Sequence, residues 1–185
     1  MLYTGDAAEV PTVHGRPFFL CEDGEVATNQ VLDIQGPVRG EVFVVFEEGS
    51  EIFLTGPDGP RPWLIETHGR ENPMEEIRRT ATALLPDMFL LHSTSWRWEG
   101  TAVVLTFIAA VAKGRGESRL VSTGELARGS PTAPPAEIES NQVLNHALRH
   151  LAWLGREDEA VRDSLSSAWR EALSKYVPAT FQQIG

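Results

Sequence analysis

The chain has 185 residues, 42% of them apolar, and a formal net charge of -10. That length fits one domain of ordinary size with a buried core, and the apolar share excludes wholesale disorder. The acidic balance argues against nucleic-acid binding, which gains affinity by neutralising phosphates with Lys and Arg; the adjoining Arg78 and Arg79 leave room only for a local basic patch.

Cys21 is the sole cysteine, so neither an intrachain disulfide nor a thiolate zinc cluster can form. The first residues lack the basic start and apolar run of a signal peptide. The longest apolar stretch, Ala102 to Ala112, contains Thr106 and is half the ~20 residues a spanning helix needs. A cytoplasmic protein that does not engage the membrane is the expectation.

In chain order, Phe18-Phe19-Leu20 and Val26 flank a turn at Glu22-Asp23-Gly24, and Val31-Leu32-Asp33-Ile34 reads as a further strand closed by Gly36-Pro37. Glu41 to Phe46 is apolar on both alternating faces, the pattern of a strand covered on both sides. Glu47-Glu48-Gly49-Ser50 turns the chain into Ile52-Phe53-Leu54, and after the loop Gly56 to Pro60 a strand resumes at Trp63-Leu64-Ile65. Asn72 is a helix cap, Pro73 suits the first turn and Glu75 completes a capping-box pattern. Met74, Ile77, Ala81 and Leu84 give that helix a buried face, and Pro86 stops it.

Met88 to Trp98 and Thr101 to Val111 read as a strand hairpin turning at Glu99-Gly100, and Lys113 to Glu117 leaves the sheet. Two helices follow, at about Asn141 to Leu154 and Glu157 to Tyr176, with Gly155 between them. Val143, Leu144, Ala147, Leu148, Leu151 and Leu154 form the first stripe, and Val161, Leu165, Trp169, Leu173 and Tyr176 the second. The predicted fold is α/β of the α+β kind, a mixed sheet flanked by helices. Residues 1–128 form the α/β part with an N-terminal β extension, 129–136 a Pro-rich connector, and 137–185 an αα-hairpin packed on the same domain.

From Gly40 to Val111 the chain resembles a Nudix hydrolase domain, which runs strand, hairpin, strand ending near a Trp, Nudix loop and helix, then a strand hairpin. Glu71 is separated from Arg79 by seven residues, as are the Glu and Arg of the family signature, and Glu71-Asn-Pro-Met-Glu75 is similar to its frequent Glu-Ser-Pro-Glu-Glu helix entry. The remaining signature positions depart: Ile65 stands for the first Gly, Thr80 for the Glu after Arg, Ala83 and Leu84 for the Glu pair, and Pro86 for the last Gly. In the family those glutamates hold magnesium, an ion that demands hard oxygen ligands. The resemblance therefore implies a Nudix-like fold with a degenerate box, without magnesium at that helix and without ordinary Nudix diphosphate hydrolysis.

Three places carry candidate chemistry. As one unbroken strand, His92-Ser-Thr-Ser-Trp-Arg-Trp98 puts His92, Thr94, Trp96 and Trp98 on one face and Ser93, Ser95 and Arg97 on the other. The first face is either a ligand wall, with Trp96, Trp98 and Thr94 as ligand-binding residues and Arg97 of the other face as a further one, or packing for the terminal helices, the commoner role of Trp. Glu66 and His68 form a candidate acid-base pair in the loop where Nudix relatives shape their pocket, with His92 as a further catalytic candidate; a solvated polar loop is the plainer alternative. His146 and His150 stand one helical turn apart, a spacing that can bind zinc with a third ligand from elsewhere, or simply pack at the shoulder of the stripe. Gly-x-Ser-x-Gly does not occur, so Ser122 and Ser130 lack a nucleophile elbow. Glu137, Glu139, Glu157, Asp158 and Glu159 fall near helix starts, where the dipole explains them.

The first functional reading is a regulatory or binding module for a small nucleotide-like ligand. An enzyme with a relocated His/Glu site and a homodimer or other oligomerising structural protein are the alternatives.

Overall fold

The computed structural model describes residues 36–68, 72–123 and 139–176. The strands expected at Phe18 to Ile34, the connector, Cys21, Glu71, Ser130 and Glu137 lie outside the described residues. A mixed six-stranded sheet is built from β1 (Val38–Glu48), β2 (Glu51–Thr55), β3 (Trp63–Glu66), β4 (Met88–Glu99), β5 (Ala102–Val111) and β6 (Arg119–Leu120). The helices are α1 (Pro73–Leu84), α2 (Ser140–Glu157), α3 (Glu159–Ser164) and α4 (Ser167–Leu173). The α+β class expected from the sequence is the class observed.

Strand order is β4-β5-β1-β2-β6. β1 is the spine: β5 pairs with one of its edges in parallel, while β3 takes Arg39 to Val42 and β2 takes Val44 to Glu48 of the other, both antiparallel. The two-residue strand β6 adds to β2, where the sequence shows no strand pattern.

Alternation along β1 divides the interior in two. Phe43 and Val45 join Ile108 and Ala110 of β5 beneath α2 and α4, whereas Val42, Val44 and Phe46 join Phe107, Ala109 and Val111 on the side of α1. A strand apolar on both faces is therefore covered on both faces.

α1 starts as its sequence dictates. Asn72 Oδ1 accepts from the Met74 N–H at 3.0 Å and Pro73 occupies the first turn. Met74, Ile77 and Ala81 are buried, but Leu84 is 52% exposed and Leu85, beyond the helix end, takes the interior position at 1%. The helix stops one residue before the position that closes its stripe, so the chain turns Leu85 inward and leaves Leu84 in solvent.

The C-terminal part differs from the expected pair of helices. α2 continues through Gly155 to Glu157, and the glycine lets Leu165 pack close, since a Cβ there would stand 3.2 Å from Leu165 Cδ1. Instead of one helix from Glu157 to Tyr176 there are two short ones. Ser164 Oγ bonds back to Val161 O at 2.7 Å, and Ser166 Oγ accepts from the Trp169 N–H at 3.2 Å, so serines divert the backbone at the break. Arg170 Nη1 donates to Leu165 O at 3.0 Å and secures it. Leu165, Trp169, Leu173 and Tyr176 remain buried, so the apolar stripe survives the interruption. Among the described residues no helix is long and apolar enough to cross a membrane.

Candidate functional site

β4 does not run as one regular strand. Its pairing with β5 steps from Ser93↔Phe107 to Ser95↔Thr106, so Thr94 is an extra residue and the alternation changes phase there. A second irregularity lies between Met88 and Leu90. The face expected to carry His92, Thr94, Trp96 and Trp98 together does not form. His92 pairs with Ile108 on the side of α2, while Trp96 and Trp98 pair with Leu105 and Val103 on the side of α1, where they are 43% and 58% exposed. Thr94 Oγ1 donates to Thr106 O at 3.4 Å.

The phase change puts Arg97 on the same face as His92. Beyond the end of the apolar interior, Ser95, Arg97 and Glu99 of β4 lie beside Thr106 of β5 and Arg39 and Glu41 of β1. Arg97 forks onto Glu41, with Nη1 to Oε2 at 2.7 Å and Nη2 to Oε1 at 3.2 Å, and Nη1 also donates to Thr106 Oγ1 at 3.3 Å. Arg39 meets Glu99 at 2.6 Å. Glu41 is buried, and the Arg97 fork satisfies both of its carboxylate oxygens. The result is a polar row across three strands in which two cations and two carboxylates balance.

At the inner end of that row the helix layer supplies His150. Its Nε2 stands 3.3 Å from His92 Nε2, the rings lie within 17° of parallel, and Trp153 packs against His150 at 5.7 Å. Partial burial holds both imidazoles below the ordinary histidine pKa; nearby Asp158 opposes this at His92, while His92 and His146 reinforce it at His150. His146, one turn earlier on α2, is exposed. Among the described residues no group of three or more His, Cys, Asp or Glu side chains is placed to hold a metal.

His68 belongs to a different place. Its Nδ1 lies 2.6 Å from Glu76 Oε1 of α1 and its backbone N–H donates to Glu76 Oε2 at 3.1 Å. The carboxylate partner of His68 is thus Glu76, while Glu66, the partner expected from the sequence, is exposed at the end of β3. The hydrogen bonds from His68 hold the Glu76 carboxyl below the ordinary value. His68 and His92 do not meet.

Sequence reasoning missed Glu41, Thr106 and Glu76. The signal for the first two was present: an acid opening an apolar strand and a lone hydroxyl inside another each need a polar partner. Of the positions set against the Nudix glutamates by the resemblance, Ala83 and Leu84 are exposed and Thr80 half-buried, and none offers a carboxylate. No family model matches the sequence, and no curated protein matches it.

Proposed function

We propose that this chain is a Nudix-like module that binds a small nucleotide-like ligand on the polar row of its sheet without hydrolysing it by a magnesium mechanism. The row Arg39, Glu41, Arg97, Glu99 and Thr106 carries the reading: it stands beyond the apolar interior and joins three strands. Because its formal charges cancel, it suits a neutral group rich in donors and acceptors, such as a nucleobase edge, better than a bare phosphate. The element order β1, β2, β3 with Trp63, α1, β4, β5 supports the Nudix likeness. Thr80, Ala83 and Leu84 support the absence of the family's metal chemistry.

Thermal shift of the purified chain against nucleosides, nucleotides and sugar nucleotides, with and without magnesium, tests this. A ligand at a hundred times its dissociation constant stabilises by about 2.7 kcal/mol, which is readily seen. The expected result is a magnesium-independent rise with at least one nucleoside-containing compound, lost in Ser95→Trp, which blocks the row. Silence across the panel refutes the nucleotide reading, and magnesium-dependent turnover refutes the rest.

A second reading rests on Trp96 and Trp98, exposed on the edge strand β4. Indoles on a strand edge that no other described strand pairs suit pairing with a second copy of the chain. Light scattering that reports a monomer at all concentrations removes it.

A further inference from the structure

Two imidazoles meet across the seam between β4 and α2. The Nε2 atoms of His92 and His150 stand 3.3 Å apart and the ring centres 5.3 Å apart, with the planes within 17° of parallel. The rings therefore lie edge to edge, with the N–H of one aimed at the lone pair of the other. Such a bond needs opposite tautomers, one ring carrying its proton on Nε2 and the other on Nδ1. The surroundings are apolar: Ile108 of β5 pairs with His92, Leu90 packs into the helix-side core, and Phe89 meets Trp169 of α4 edge to face at 5.9 Å.

We propose that His92 and His150 form an acid-sensitive latch that ties the edge strand to the helix layer, closed while either ring is neutral and open when both carry charge. His92 is the donor ring, because the negative charge of Asp158 near it favours the ring that becomes cationic first. A first proton enters at His92 Nδ1 and leaves the bond in place, now charge-assisted. The second has His150 Nε2 to enter, the atom that accepts the bond. Its arrival replaces the lone pair with an N–H, so two donors and two positive charges face each other.

The charged and titratable groups around the pair oppose that second proton more than they invite it. α2 brings His146 one turn before His150 and Arg149 beside it in the chain. At the junction of α2 and α3, Asp158 favours charge at His92, while Glu159, Arg162 and Asp163 of α3 are exposed and Arg162 turns to the Arg156 carbonyl at 3.4 Å. Arg170 of α4 donates to Leu165 O, and Arg97 of β4 is engaged by Glu41. Burial is the largest influence on both rings and holds both below 6.5. Rings so depressed bind fewer protons in the fold than in the unfolded chain. The latch thus contributes fully above 6.5 and is lost as pH falls through the lower folded values, the two rings titrating as a coupled pair. The latch does not depend on the ligand reading above.

The test is imidazole nitrogen NMR of the full chain without a histidine tag, titrated from about pH 8 to about pH 4, with amide exchange corrected for its intrinsic pH dependence. At the alkaline end His92 is expected as the Nε2–H tautomer and His150 as the Nδ1–H tautomer. Two separated steps are expected, His92 first. Amide protection along β4 and α2 survives the first step and falls about tenfold or more with the second. In His150→Gln, whose side chain cannot take a charge, protection is expected to hold within about twofold over the same range. Identical tautomers on the two rings, a single unsplit step, or protection that does not track the second proton overturns the latch, as does a His150→Gln variant as acid-labile as the parent. Should that variant not fold, the titration of the parent decides alone.

Discussion

Arg97 reaches across β5 to Glu41 and meets it through two parallel hydrogen bonds of 2.7 and 3.2 Å. The two residues start on strands that are not neighbours, about 9.5 Å apart. Glu41 is only 5% exposed, so removing Arg97 strands a carboxylate among Phe43, Thr106 and the strand backbone. Because the Arg97 side chain keeps about a quarter of its surface in water, Arg97→Met is expected to cost about 2–4 kcal/mol, toward the lower end for a broken buried pair. Glu41→Leu combined with Arg97→Met is expected to cost less than the single change, since no charge remains unpaired. Urea denaturation of the two variants checks the order. A double variant less stable than Arg97→Met contradicts it.

The pairing of Glu76 with His68 gives stability a dependence on acid. The Glu76 carboxyl sits below its ordinary value of 4.5, chiefly through the His68 side chain and then through its backbone N–H. A carboxyl depressed in the folded state binds fewer protons there than in the unfolded chain. Its contribution is thus complete above 4.5 and is lost as pH falls through the lower, folded value. Melting temperatures measured on the acid side are expected to fall less steeply in Glu76→Gln than in the parent. Parallel slopes would show that the pair contributes nothing.

How much of this was legible in advance depended on whether a pattern was local. The covered strand β1, the capped start of α1 and the burial of Leu165, Trp169 and Leu173 follow from spacing alone, because each depends on residues within one or two turns. The phase of β4 did not, since a bulge at Thr94 is decided by what β5 offers across the ladder and not by β4's own alternation. That single inserted residue separates Trp96 and Trp98 from His92 and brings Arg97 to Glu41. Likewise His68 acquires Glu76 because it lies against the first turn of α1, a tertiary fact that adjacency to Glu66 concealed. The break at Ser164-Leu165-Ser166 was readable from the serines, whose hydroxyls compete for helix hydrogen bonds.

Tyr176 provides an alkaline counterpart. Burial first, and the negative charge of Glu51 second, push its phenol from 10.0 up to about 12. A raised phenol favours its protonated form in the fold, so stability is intact below 10.0 and is lost as pH rises toward the folded value of about 12. The sequence has 2 tyrosines, so Tyr3→Phe leaves Tyr176 as the only phenol in an ultraviolet titration. The expected titration is late and coincides with unfolding, and Tyr176→Phe is expected to extend the folded range upward. A midpoint near that of free tyrosine in the folded chain would refute the burial argument.

Gly40 decides how closely α1 can lie on β1. A Cβ there would stand 2.9 Å from both Cδ1 and Cγ1 of Ile77, which is fully buried and has no free direction in which to retreat. Gly40→Ala is therefore expected to destabilise by about 1–3 kcal/mol, as overpacking does in a dense interior. Ile77→Val alone removes the Cδ1 methyl and costs about 0.5–1.5 kcal/mol. Combined, the two are expected to cost less than their sum, because the deleted methyl makes room for the new one. Gly40 also lies between Arg39 and Glu41, so a lifted α1 strains the strand that carries these two members of the polar row. Chemical denaturation of the four species measures the coupling, and strictly additive costs would mean that α1 does not rest on Gly40.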